Sequence, residues 1–280
     1  MNNAQHYLRQ AYHGNADTTY TLPDDWAQGR ASFGGLIAGM LLAAMRRDVP
    51  MERVLLSISC TFVGPIATGE PFTIETELLR SGKNAVQMQA RIIQNQVAQT
   101  VLIASFGLLR ESAAHMPTLP APVTTAPDGL PAMPFIPNVI PNFVQHFDMR
   151  WVFGGLPYFG EGTREMGGWW RYKDFDGAHN ETDNGTHDGS AAILSEAHYV
   201  TLLDAWPPAI LPLIKKPAPA SSMTWFAQFV QPLPLFQNNW MLYRAEIAHA
   251  ANGYGQTQAH IWNASGELLM VSSQTVAVFD

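Results

Sequence analysis

The chain has 280 residues, 47% of them hydrophobic and only 14% charged, with a formal net charge of -7 and a pI near 5.7. That is enough apolar material for one large domain or two modest ones that fold without metal or disulfide support, and it leaves no basic field to neutralise a phosphate backbone, which argues against nucleic acid as a partner. Cys60 is the only cysteine, so an internal disulfide and a cysteine-rich zinc site are excluded and a reducing compartment is the natural home.

The first ten residues are polar and lack the basic region and apolar core of a secretory signal. The longest apolar run, 36–45, is about half of the roughly 20 residues needed to span a bilayer. A cytoplasmic protein with no membrane span is expected, and the glycosylation-type triplets at Asn180, Asn184 and Asn263 then read as coincidence.

Gly34 and Gly35 open that run, which is apolar all round and ends in Arg46 and Arg47, cations suited to a helix C-terminus. It predicts a fully buried helix. Residues 54–63, 71–80, 85–94 and 100–109 follow as β-branched and apolar runs separated by turn residues such as Gly64-Pro65 and Ser81-Gly82. From 113 to 141 prolines crowd the chain, which predicts an extended linker over the surface, with Phe135, Ile136, Val139 and Ile140 in need of packing. Strands are expected at 151–159 and 167–172, a polar loop at 174–189, and a second helix at 191–205 capped by Asp188 or Ser190 and stopped by Pro207-Pro208. Residues 222–230, 240–250, 255–261 and 267–278 repeat the strand pattern.

The repetition is visible in the letters. Phe62-Val-Gly-Pro65 matches Phe229-Val-Gln-Pro232 at 229 − 62 = 167, and the run from Gln87 to Ile92 matches that from Gln256 to Ile261 at 256 − 87 = 169. With one helix ahead of each four-strand run, this predicts a duplicated α+β unit divided as 1–112, a proline-rich linker at 113–147, and 148–280.

Several chemistries are missing. No G-x-S-x-G elbow, dinucleotide glycine loop or Walker-type phosphate loop occurs. His179, Asp183, His187 and Asp188 crowd the polar loop, but no helical or hairpin spacing fixes them, and a solvated loop is the plainer reading than a metal site.

Four residues could carry chemistry. Asp204 is the only acid after Glu196 in the second helix and shares a face with Ala197, Val200 and Thr201. A carboxylate there is costly to bury without donors or a task, and a water-exposed helix end is the alternative. Ser222 and Thr224 alternate in one strand, which predicts that both hydroxyls face the same way, away from Met223 and Trp225. Gln274 interrupts an otherwise apolar strand, either as a buried amide needing partners or at an open edge.

In this layout the chain resembles the acyl-CoA thioesterase II family, double hot-dog proteins whose C-terminal half supplies an Asp from the central helix, a Ser or Thr from the next strand and a Gln from the last. Asp204, Ser222 and Gln274 stand in those places in order, with Thr224 as second choice for the hydroxyl, and Phe33-Gly34-Gly35 is similar to the Phe-Gly-Gly before the family's first hot-dog helix. The resemblance implies a double hot-dog fold and hydrolysis of acyl-CoA to fatty acid and coenzyme A. It also implies no cofactor beyond the coenzyme A carried by the substrate, and a homo-oligomer. In the first copy, Phe106 falls against Gln274 at an offset of 168 and the helix has no acid, so one working site, in the second copy, is expected. A hot-dog enoyl-CoA hydratase, which would need an Asp and His pair, and a non-catalytic acyl-CoA binding module are the competing readings; His198, six positions before Asp204, does not share its helical face.

Overall fold

The computed structural model describes residues 3–175 and 190–279. It opens on a helix absent from the sequence reading, α1 (Ala4–His13), capped by Asn3, whose side chain accepts from the His6 N–H. Ala4, Tyr7, Leu8 and Ala11 are its buried apolar residues, and their spacing of three, four and seven is the amphipathic signal that was overlooked in a polar-looking segment. Short strands β1 (Thr19–Tyr20), β2 (Ala27–Gln28) and β3 (Ala31–Ser32) lead into α2 (Gly34–Arg46). Every residue of α2 except Gly34 is buried, as an apolar helix without a polar face must be.

Four strands follow, β4 (Val54–Phe62), β5 (Phe72–Ser81), β6 (Ala85–Gln94) and β7 (Val97–Gly107). After a long stretch with only short 3-10 turns come β8 (Phe147–Gly154), β9 (Glu165–Tyr172), α3 (Ser190–Leu203), β10 (Ala220–Phe229), β11 (Met241–Ala251), β12 (Tyr254–Asn263) and β13 (Leu268–Val278). All but β2 and β3 join one antiparallel sheet of eleven strands, ordered β1-β5-β6-β7-β4-β10-β13-β12-β11-β9-β8. The two halves meet where β4 pairs with β10. A single hydrophobic core runs through both halves.

The internal repeat extends to backbone defects. The β4 to β7 ladder slips between Leu55 and Ser57, and the β10 to β13 ladder slips between Ser222 and Thr224, both at an offset of 167 (222 − 55 and 224 − 57). The pairing also corrects one counterpart. Ile58 faces Ala104 across the first ladder and Trp225, its equivalent at 225 − 58 = 167, faces Gln274 across the second. Ala104, not Phe106, therefore occupies the place of Gln274. The turn before β13 has four residues where that before β7 has two, so the offset grows along the chain and a fixed shift overshoots.

The proline-rich stretch straps the outer face of the second half. The indoles of Trp169 and Trp262 donate to the carbonyls of Thr125 and Leu119 at 2.9 Å, and Ala121 and Leu130 cover the small cluster of Trp169, Leu242, Trp262 and Leu268. Ile136 and Val139 remain exposed, so that part of the packing expectation was wrong. The loop residues His179, Asp183, His187 and Asp188 lie outside the described residues.

Helices α2 and α3 cross in close contact. A methyl group on Gly39 would stand 2.3 Å from Thr201 Oγ1 and 3.0 Å from the Ala197 carbonyl, and one on Gly35 would stand 2.5 Å from the Thr201 carbonyl. The glycines thus face Ala197 and Thr201, the residues expected to share a face with Asp204. At the other end of α2, Arg46 forms a two-pronged ion pair with Glu196 of α3, at 2.7 and 2.8 Å, and Glu196 also accepts from the Leu55 N–H at 3.1 Å. A buried charge needs such pairing and extra hydrogen bonds to be tolerated.

Candidate active site

Asp204 follows the last turn of α3 and points at the first turn of α2. That end of α2 has no side-chain cap of its own, since Phe33 occupies the N-cap position. Its free amides and the positive end of the helix dipole need an anion. The Asp204 carboxylate supplies it by accepting from the Gly35 N–H. Its Oδ2 would lie 2.9 Å from a methyl group placed on Gly34, beside the Phe62 ring. This gives the Phe33-Gly34-Gly35 motif a physical role, because a side chain at Gly34 would press on the carboxylate and one at Gly35 on Phe33 and the Thr201 carbonyl of α3.

The second partner comes from β13. Gln274 Nε2 donates to Asp204 Oδ1 at 2.7 Å, and its Oε1 accepts a long hydrogen bond from Ser222 Oγ at 3.5 Å. Asp204, Gln274 and Ser222 therefore form one connected set, drawn from the end of a helix and two paired strands. Thr224 does not join it. The slip in the ladder after Ser222 places an extra residue in β10, so the strict alternation behind the expectation of a shared face fails at this point. Thr224 is exposed, pairs with Thr61 and Thr275, and precedes the inward-facing Trp225.

Burial dominates the electrostatics. Desolvation pushes the Asp204 carboxyl up to about 7, against the lowering effects of the Gln274 and Gly35 hydrogen bonds. The residue still keeps some accessible surface. Its charge is felt by Cys60 and Tyr243, whose acidic protons are held more tightly, chiefly through their own burial. Among the described residues the competing Asp and His arrangement is not assembled. His198 is fully buried, its Nδ1 lies 3.2 Å from Tyr172 Oη, its ring stacks on Phe236, and burial pushes it down to about 3. It is a neutral core residue.

Sequence reasoning missed Gly35 as a donor and the aromatic wall beside Asp204. Trp206, two residues further on, stacks on Tyr243 and meets the edges of Trp151 and Trp170. The proximity of the Asp and the Trp in sequence, just before Pro207-Pro208, was the available clue.

A buried carboxylate with an elevated pKa, tied to an amide and a hydroxyl, is the kind of group that can exchange protons with water near neutral pH. The fold carrying it is a hot-dog: a hot-dog protein from Alicyclobacillus acidocaldarius matches with a TM-score of 0.76 at 21% identity, covering 98% of each chain. An acyl-CoA thioesterase II from Mycobacterium marinum matches with a TM-score of 0.72 at 18% identity, over 97% of this chain and 98% of that one. Among curated sequences, acyl-CoA thioesterase 2 of Haemophilus influenzae is 24% identical over 261 residues, 88% of this chain and 86% of its own length. The family profile for the acyl-CoA thioesterase N-terminal domain matches residues 22–107, and that for the C-terminal domain matches 127–278. The chain belongs to the acyl-CoA thioesterase family, as a double hot-dog thioester hydrolase. Among the described residues no helix is long and apolar enough to cross a membrane.

Proposed function

We propose that the chain hydrolyses acyl-CoA to a free fatty acid and coenzyme A with Asp204 as the general base. The supporting observation is the Asp204–Gln274–Ser222 set, with a carboxyl raised to about 7 by burial. A base poised near the working pH balances ionisation against basicity. Asp204 takes a proton from a water oriented by Gln274 and Ser222, and the resulting hydroxide adds to the thioester carbonyl carbon. Amides at the start of α2 stabilise the negative charge on the carbonyl oxygen. The tetrahedral adduct then expels the thiolate of coenzyme A, which recovers the proton from Asp204. No covalent enzyme intermediate is formed, and no cofactor is used apart from the coenzyme A carried by the substrate. The site is a single one, served by the second half of the chain (148–280), with the first half (1–112) lending its helix end and the linker (113–147) joining them.

In this reading the protein is cytoplasmic and works as a homo-oligomer. Support for the assembly comes from the outer face of the central strands, where Ile103, Ser59 and Phe226 lie side by side in one row, with Leu56 and Met223 also exposed. Exposed apolar patches of this kind are commonly covered by a partner. The test of function is thiol release from acyl-CoA esters of graded chain length by wild type and Asp204→Asn. Release by wild type alone supports the assignment; full activity in the variant on every ester removes Asp204 from the role of base.

A further inference from the structure

Eight tryptophans occur in the chain, and the buried ones are well matched to acceptors. Trp169 and Trp262 donate to the linker, Trp170 to the Leu202 carbonyl at 3.0 Å, and Trp225 to Ser272 Oγ at 2.9 Å. Half-buried Trp151 donates to the Gly154 carbonyl at 3.3 Å. Trp206 is the exception among them: it is 5% exposed and its Nε1 is buried with no hydrogen-bond partner among the described residues. Native interiors rarely leave a donor in that state, and such a group calls for an explanation.

The surroundings of Trp206 are built rather than incidental. Tyr243 of β11 and Trp151 of β8 both pair with Gly168 of β9, which lies between them in the sheet. The row Trp151-Gly168-Tyr243 therefore has two aromatic walls and no side chain in its middle. Trp206 packs between them, stacked on Tyr243 with ring centres 5.7 Å apart and 7° between planes, and 5.0 Å from Trp151 at 64°. The cluster reaches from the partly exposed Trp151 inward to Tyr243, which senses the charge of Asp204. The Trp206 N–H does not serve that carboxylate, whose hydrogen bonds come from Gln274 and Gly35.

We propose that Trp206 determines acyl specificity, its indole N–H donating to an oxygen carried on the acyl chain beyond the thioester. This rests on the thioesterase reading above and adds the substrate class: acyl groups interrupted by an acceptor oxygen, in preference to plain saturated chains. An indole is a donor only, so the complement is an acceptor. A site with a buried polar group discriminates strongly against an analogue that leaves that group unpaired.

The test compares hexanoyl-CoA with 3-oxo-, 4-oxo- and 5-oxohexanoyl-CoA on wild type and Trp206→Phe, which keeps an aromatic ring and removes the N–H. Wild type should show kcat/KM about tenfold higher for at least one oxo ester than for hexanoyl-CoA, and in the variant that ratio should fall to within about twofold of one. Equal losses on all esters would assign the N–H to the thioester carbonyl or to the fold, and no loss on any would leave it idle; either overturns the proposal. Absence of an oxo preference in wild type overturns it without any variant. Should wild type release no thiol at all, the thioesterase reading fails by itself. Calorimetric binding of the corresponding non-hydrolysable thioether analogues then decides the proposal, with a tighter oxo analogue in wild type and equal binding in Trp206→Phe supporting it, and any other pattern overturning it.

Discussion

Replacing Asp204 by Asn removes the charge while keeping the shape, and burial makes the consequence for stability calculable. The carboxyl has an ordinary value of 3.8 and is raised to about 7 in the fold. Between those values the folded chain binds more protons than the unfolded one, so wild-type stability falls as pH rises. Below about pH 4 the burial costs nothing in ionisation, and above about pH 7 the whole cost is present. Integrated from pH 5 to pH 9, the loss is about 3 kcal/mol for one such group. Asn does not ionise, so its variant lacks this term. Its amide opposes one donor, either Gly35 or Gln274, a fixed loss of about 1 to 3 kcal/mol that pH does not change. Urea or guanidinium unfolding at pH 5 and pH 9 isolates the difference. The stability of Asp204→Asn relative to wild type should improve by about 3 kcal/mol across that interval, while thiol release is lost at both ends. A relative stability that stays flat with pH would refute the argument, because it would mean the carboxylate is as well solvated in the fold as in the unfolded chain.

The same titration shapes catalysis: kcat/KM should rise about tenfold from pH 6 to pH 8 with its midpoint near 7, and a profile flat over that range would exclude Asp204 as the ionising base. In the polar set, Gln274→Ala should cost about 100-fold in kcat/KM and Ser222→Ala about tenfold, whereas Thr224→Ala should stay within about twofold, as steady-state kinetics would show. Gly39→Ala places a methyl group against Thr201 and Ala197 and should lower stability by about 1 to 3 kcal/mol, measured by thermal unfolding. Glu196→Ala strands the buried Arg46 and should cost about 3 to 5 kcal/mol in denaturant unfolding.

Much of the fold was legible because its signals are local. The uniformly apolar 36–45 run could only be a buried helix, and the strands announced themselves through β-branched runs and turn residues. The duplication survived in short matching strings. α1 was equally readable from Ala4, Tyr7, Leu8 and Ala11, but its polar overall composition masked the stripe. Asp204 and Gln274 stood out as polar groups in apolar settings, though only resemblance to a family gave them a joint meaning. The reading of Thr224 failed because period-two alternation assumes an uninterrupted ladder, and the slip beside Ser222 is set by pairing with β13.

What the sequence determined by itself was the inventory: two helices, the first of them apolar all round, two runs of strands, one carboxylate and one amide placed where burial makes them expensive. What only the tertiary structure decided was which of these meet. Asp204 lies 170 residues from Gly34 in the chain (204 − 34), yet it caps the helix that Gly34 begins. Glu196 and Arg46 are separated by 150 residues and share a buried ion pair. Such partnerships depend on how the two halves pack across β4 and β10, and no local pattern encodes them. Burial between distant segments then raises the carboxyl of an ordinary aspartate to about 7, against the lowering effect of its hydrogen bonds.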